Sequence, residues 1–335
     1  MIRVAILGAS GFVGGELLRL CAGHPQLRPA RLFGDSQAGS ALADVHPHLA
    51  LAYPDFVVGR FERAALDGVD LVFAALPHGH SQALAPGILE REIAFVDLGA
   101  DFRLRDPAAY ETWYGEPHQA AHLLDRFVYG IPELHREEIR ASRAVAAAGC
   151  YPTAAILALK PLVDAGLIEP GSIVVDASSG VSGAGRAAKE ATAFNTVSES
   201  LSAYGLVSHR HTAEMEASLD AEVLFTPHLA PMNRGILATC YGKATRPCDP
   251  LAVLREAYAG DPFVHVSDKP PATKWTLGSN AVHVTARYDG RTGRVLAISA
   301  LDNLVTGAAG QMIQCANLML GFEETAGLPL CGVYP

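Results

Sequence analysis

A cysteine stands in the segment "AAAGCYPTAAIL" (146–157), between a run of small residues and a proline. Pro152 suits a first helical turn, where its missing N–H costs nothing, so the spacing predicts a helix over 152–165 with Cys150 just ahead of it. A thiol there meets unpaired backbone N–H groups and the positive end of the helix dipole. Both favour the thiolate, the form that attacks an activated carbonyl. The other reading of Cys150 is a buried cysteine acting as a small hydrophobe. Downstream, "SHRHTAEMEASL" runs into an amphipathic helix with Thr212 as its expected cap and Glu214 close behind. A neutral imidazole held at that junction can serve as general acid or base near pH 7. Three His-x-His pairs occur, 46/48, 78/80 and 209/211, and in extended chain each pair shares a side as half a metal site would. No HExxH or comparable third-ligand spacing accompanies them, so no metal is expected, and solvent-facing histidines explain the pairs equally well.

A third chemical feature opens the chain. Gly8-Ala9-Ser10-Gly11-Phe12-Val13-Gly14 has GxxGxxG spacing between an apolar run over 3–7 and a helical pattern with Val13, Leu17 and Leu20 on one face. Glycines let the backbone approach a diphosphate, and the helix start offers N–H groups to it. This strand, turn and helix at the N-terminus points to a dinucleotide. After the second strand, "LFGDSQAGS" leaves the ribose contact open. Asp35 suits the ribose hydroxyls of NAD, whereas Ser36, Gln37 and the following glycine suit a 2′-phosphate.

These groups need a scaffold. Continuous apolar runs at 30–33, 71–75 and 94–98, with helical material over 81–91, predict a doubly wound parallel sheet over 1–148. From 149 to 303 the texture changes to longer strands, at 172–177, 222–225, 236–242, 281–288 and 295–301. The last two flank "DGRTG", a hairpin signal, and together they predict an α+β domain with a mixed sheet. The chain ends in a helical stretch within 304–335, with Thr306 as its expected cap, which is expected to return to the first domain. The 335 residues are 50 % hydrophobic and 18 % charged, enough for two domains with large cores. A formal net charge of −9 disfavours nucleic acid and anionic membranes as partners and leaves a small-molecule ligand. The six cysteines form no CxxC pair, the start carries no cleavable signal pattern, and no apolar run nears the roughly 20 residues of a membrane span. A reducing cytoplasm is the expectation.

Together these parts define one chemical logic: a thiolate captures an acyl group, a histidine handles protons, and hydride passes between a nicotinamide and the captured carbon. The chain also resembles the N-acetyl-gamma-glutamyl-phosphate reductases of arginine biosynthesis, in the aspartate-semialdehyde dehydrogenase group. The resemblance spans essentially the whole chain, through "GASGFVGGELLRL", "LPHGHS", "DLGADFRL", "YGIPEL", "GCYPTA", "SGVSGAGR", "HRHTAE", "RGILAT" and "LDNLVTGAAGQMIQCANLMLG". It implies Cys150 as nucleophile and His209 as acid/base residue. It further implies Arg103, His211 and Arg186 as substrate contacts, Arg103 at the acyl phosphate. Gly8, Ser10, Gly11, Phe12, Val13, Gly14 and Ser36 match cofactor positions, and Ser182, Gly183 and Asn303 match positions near the nicotinamide. Tyr204 matches a tyrosine of a mobile segment. NADP (NADPH) as cofactor, an acyl phosphate as substrate and a homodimer or homotetramer follow from the same resemblance. Two departures stand out. Gln37 replaces an arginine common after Ser36, and Ser178 replaces a lysine, leaving Arg103 or Arg186 to neutralise phosphate. Two alternatives are kept: a reductase of carrier-linked aminoadipyl phosphate in lysine synthesis, and a nucleotide-binding regulator without catalysis.

Overall fold

Six short, largely apolar strands form the first sheet of the computed structural model, which describes residues 1–335. In chain order the elements are β1 (Ile2–Leu7), α1 (Phe12–Gly23), β2 (Leu27–Phe33), α2 (Leu42–Val45), β3 (Leu71–Ala74) and α3 (Ser81–Leu89). There follow β4 (Ala94–Asp97), α4 (Pro107–Tyr114), β5 (Val128–Gly130), α5 (Pro132–Ala141) and β6 (Ala144–Ala147). All pairs are parallel, in the order β2-β1-β3-β4-β6-β5. Every residue of β3, β4 and β6 is buried, as a sheet covered on both faces requires. This is the expected doubly wound, Rossmann-type sheet.

The second sheet has a different texture. Its elements are α6 (Cys150–Asp164), β7 (Ile173–Gly180), α7 (Phe194–Val197), β8 (Ser202–Ala203), α8 (His211–Leu219), β9 (Val223–Ala230) and β10 (Ile236–Lys243). Then come α9 (Pro250–Ala257), β11 (Val264–Val266), β12 (Val282–Asp289) and β13 (Arg294–Leu301). The order β11-β12-β13-β10-β7-β9-β8 mixes parallel and antiparallel pairs, as the sequence predicts. Burial alternates along β7 and β10: Ile173, Val175 and Ala177, and Ile236, Ala238 and Cys240, face a core closed by α6, α8 and α9. The intervening residues lie half-buried on the opposite face. β12 and β13 form the hairpin that "DGRTG" announces. Asp289 Oδ2 accepts from Thr292 Oγ1 at 2.7 Å, and Gly293 takes the positive φ of 65° that closes the turn.

The chain divides into two compact units, Met1–Ala148 with Ala308–Leu328, and Gly149–Gly307 with Pro329–Pro335. The last helix, α10 (Gly310–Met319), packs on α5, β4 and β6 in the first unit, with Gly310 to Leu318 buried. Two of its buried polar side chains are tied to their surroundings: Gln314 Nε2 donates to Glu133 and Glu324, and Asn317 Nδ2 donates to the carbonyls of Glu324 and Ala326. The helical stretch within 304–335 is thus short. It opens as a π turn over Val305–Ala309, stops near Gly321, and its last seven residues group with the second unit. Thr306 does not cap it, because Asp302 Oδ1 already accepts from the N–H groups of Leu304 and Val305 at 2.8 and 3.3 Å. Likewise Thr212 lies buried inside the first turn of α8 and not at its cap, since its own N–H donates to the carbonyl of His209.

Candidate active site

Cys150 is the first residue of α6, with Gly149 at the N-cap in extended conformation, φ −66° and ψ 153°. The thiol is half-buried, and because the helix starts two residues earlier than the sequence predicts, Cys150 is its first residue, at the dipole-positive end. Of the five other cysteines, Cys331 is exposed and Cys248 stands just before Asp249, the N-cap of α9, where burial pushes its thiol up. Cys21, Cys240 and Cys315 are buried thiols whose pKa burial pushes up, Cys21 to about 12.

Both neighbours of Cys150 touch the histidine segment. A Cβ on Gly149 would fall 2.5 Å from His211 Nε2, so only glycine lets the α6 start and that ring meet. The Tyr151 ring stands edge-on to His209 and His211, with centroids 5.8 and 6.0 Å apart. Tyr151 Oη donates to the carbonyl of His228 at 3.0 Å and accepts from Tyr204 Oη at 3.2 Å. Burial pushes both phenols up, Tyr204 to about 12. Tyr204 follows β8, which pairs antiparallel with β9, and its N–H donates to the carbonyl of Pro227. Two histidines and two tyrosines, with Phe225, therefore gather at the start of α6.

Within this box His209 has a defined state. Burial, aided by the adjacent Arg210 charge, lowers its pKa to about 4, so the ring is neutral near pH 7. The His211 N–H donates to His209 Nδ1 at 3.2 Å, which assigns the ring proton to Nε2. The resting ring is thus a neutral N–H donor.

Glu214, to which the sequence gives no role, is 1 % exposed and accepts from the Gly149 N–H at 2.9 Å. Its other oxygen lies 3.9 Å from His211 Nε2. A buried carboxylate thus ties α8 to the first turn of α6. The sequence signal was present in "HRHTAE", but only the fold places that glutamate on a glycine 65 positions away.

The turn over 302–307 completes this region. A Cβ on Gly307 would approach Cys150 Cβ to 2.8 Å, so this turn packs directly on the thiol-bearing residue. Asn303, in the same turn, accepts from the Gly235 N–H at 2.8 Å and donates to Ser182 Oγ at 2.9 Å. A Cβ on Gly183 would lie 3.0 Å from Ser179 Oγ. Ser182, Gly183 and Asn303 are therefore brought together, while Arg186 is exposed beyond the same turn.

In the first unit the glycine turn has the geometry a diphosphate needs. Gly8 has a φ of +81°, and a Cβ there would fall 2.3 Å from the carbonyl oxygen of Ala75. One on Gly14 would fall 2.4 Å from the oxygen of Gly8, so α1 crosses its own entry turn at backbone contact. Gly11 is the N-cap and no side chain caps the helix, so the first-turn N–H groups of Phe12 and Val13 are available to an anion. His46 braces the turn: its Nε2 lies 2.9 Å from the carbonyl oxygen of Ala9, and its ring abuts Gly15. These features fit a dinucleotide. Ser36 is exposed just past β2. The loops after β3 and β4 interlock with each other: Asp101 accepts from the N–H groups of Gly79 and Gln82, and Ser81 Oγ donates to Asp97 at 2.7 Å. Burial holds the Asp97 carboxyl up at about 7 despite that bond. Arg103 leaves this cluster half-buried, its Nη2 donating to the carbonyl of Leu98. No group of three or more His, Cys, Asp or Glu is arranged to hold a metal ion.

A doubly wound dinucleotide unit and a mixed-sheet unit with a helix-start cysteine define a class, the semialdehyde dehydrogenases. Residues 3–142 match the family model described as semialdehyde dehydrogenase, NAD binding domain, and residues 150–303 match semialdehyde dehydrogenase, dimerisation domain. The fold is shared with an aspartate semialdehyde dehydrogenase II from Vibrio cholerae, TM-score 0.70 at 17 % identity, covering 96 % of this chain and 98 % of that one. The NADP-containing aspartate semialdehyde dehydrogenase of Candida albicans superposes with the same TM-score at 16 % identity over 96 % of this chain and 98 % of that one. The chain belongs to the N-acetyl-gamma-glutamyl-phosphate reductase branch of that family. It is 45 % identical to the reductase of Moorella thermoacetica over the full length of both, and 50 % identical to that of Salinispora arenicola over 100 % of this chain and 99 % of the relative.

Proposed function

We propose that the protein reduces N-acetyl-gamma-glutamyl phosphate to N-acetylglutamate 5-semialdehyde and phosphate with NADPH, as a step of arginine biosynthesis. Residues 1–148, with the returning C-terminal helix, bind the dinucleotide, and 149–303 carry the chemistry. The observation that carries this reading is the start of α6, where Cys150 has His211 against one neighbour and His209 against the other. The Cys150 thiolate, favoured by the helix N-terminus, attacks the gamma carbonyl. The carbon–oxygen bond to phosphate breaks, and a thioester forms. The proton consumed overall goes to the departing phosphate. Bound NADPH supplies the hydride that reduces the thioester carbon. The tetrahedral anion then collapses, the carbon–sulfur bond breaks, and thiolate is regenerated. His209 Nε2–H is proposed as the donor to the oxygen on which negative charge grows at both steps. A neutral ring does this without first acquiring a proton.

Arg103 and Arg186 are proposed as partners of the substrate phosphate, with Arg103 held for it by the Leu98 carbonyl. His211 positions the α6 start, and Ser182, Gly183 and Asn303 form the nicotinamide side of the site. The family model's dimerisation description, with the half-buried outer face of the second sheet, supports a homo-oligomer assembled through that face. No helix is long and apolar enough to cross a membrane, and the cytoplasm is the proposed location.

The test is phosphate-dependent oxidation of N-acetylglutamate semialdehyde with NADP, run beside the unacetylated and carrier-linked aminoadipyl analogues. Turnover confined to the N-acetyl substrate, abolished by Cys150→Ser with nucleotide binding retained, is expected. Preference for the aminoadipyl analogue would move the protein to lysine synthesis, and wild-type rates in Cys150→Ser would refute the covalent route.

A further inference from the structure

The end of β2 raises a problem of charge. A nucleotide 2′-phosphate needs a cation there, and the residue after Ser36 is the neutral Gln37. Between Phe33 and Glu62 the chain has one arginine or lysine, Arg60. The fold brings it back to this place. Residues 57–60 run alongside the end of β2: Gly59 pairs parallel with Phe33, the Gly59 N–H donates to the carbonyl of Leu32, and the Gly34 N–H donates to that of Gly59. Gly39 N–H and Val58 N–H close the same segment onto the 34–40 loop through the carbonyls of Val58 and Ser40. Arg60 therefore leaves its strand level with Asp35, at the carboxyl end of a parallel sheet, where open α/β folds bind nucleotides.

There its Nη2 lies 3.9 Å from Asp35 Oδ1, with side chains 76 % and 98 % exposed. So loose and open a pair contributes almost nothing to stability. It leaves the guanidinium's donors facing solvent beside Ser36, and it offsets the carboxylate that would otherwise repel a second phosphate.

Resting on the cofactor reading above, we infer that Arg60 is the residue that grips the 2′-phosphate of NADP, with Ser36 beside it, in place of the missing cation at position 37. The contact is a charge-assisted fork on phosphate oxygens, and Asp35 is its partner when no phosphate is bound.

The test is equilibrium binding to the full-length protein by titration calorimetry, with 2′,5′-ADP and ADP as nicotinamide-free probes and NADPH and NADH as whole cofactors. Arg60→Ala is expected to weaken 2′,5′-ADP and NADPH by about 10- to 100-fold and to leave ADP and NADH within about threefold. Arg60→Lys, which keeps the charge but loses the fork, is expected to fall between. An equal loss for all four ligands, or no loss for the 2′-phosphorylated pair, overturns the inference while leaving the dinucleotide site intact. Failure of the wild-type protein to bind any of the four overturns the cofactor reading itself, and this inference with it.

Discussion

The neutral state of His209 gives the sharpest test of the proposed chemistry. Its pKa of about 4, set by burial and then by the Arg210 charge, means that at pH 7 only about one ring in 1,000 carries a proton. If turnover required a resting imidazolium, the rate would rise steadily as pH falls from 7 toward 4. If the ring works as an Nε2–H donor, kcat/KM stays flat with respect to this group until about pH 4. His209→Asn is then expected to cost about 10² to 10³ in kcat, the usual loss of one donor to a developing oxyanion. The same shift has a stability counterpart with a fixed sign. The unfolded ring titrates at its ordinary 6.5 and takes up a proton before the folded ring does, so stability falls as pH drops from 6.5 toward 4. At pH 5 the full effect is about 2 kcal/mol, and about 1 kcal/mol once solvent screening of a half-buried ring is allowed for. Urea unfolding of wild type and His209→Asn at pH 7 and pH 5 measures it, the variant losing less than wild type. A kinetic limb near pH 6.5 that disappears in His209→Asn, with equal pH dependence of stability in the two proteins, would refute the neutral-donor assignment.

Two further substitutions probe the architecture around the site. A Cβ at position 14 meets backbone at 2.4 Å whereas one at 11 meets only the Gly8 oxygen at 3.4 Å. Gly14→Ala should therefore lose about 1 to 3 kcal/mol of folding stability, while Gly11→Ala keeps the wild-type melting midpoint and loses NADPH affinity; the reverse pattern in calorimetry would overturn the crossing described for α1. Glu214→Ala leaves the buried Gly149 N–H without its charged acceptor and should cost about 1.5 to 3 kcal/mol in urea unfolding, with Glu214→Gln recovering much of it; wild-type stability in Glu214→Ala would show that this bond does not hold α8 to α6.

What the sequence determined by itself was local. The glycine turn, the helix that follows the cysteine and the hairpin closed by "DGRTG" are each set by residues within a few positions of one another, through steric freedom at glycine, proline's fixed φ and apolar periodicity. β6 was less legible: Ala144–Ala147 has little strand propensity, and becomes a central strand because its small side chains are buried on both faces of the sheet, beneath α10. The expected caps at Thr212 and Thr306 failed for a related reason, since the neighbouring backbone and Asp302 had already supplied those bonds. Only tertiary structure set the Glu214 carboxylate under Gly149, enclosed His209 among aromatic rings and so held it neutral, and returned Arg60 to Asp35. Glu214 and Gly149 are 65 positions apart, His209 and Tyr151 58, and Arg60 and Asp35 25. Burial, charge state and reach are properties of what surrounds a side chain, and in this chain the surroundings come from distant segments.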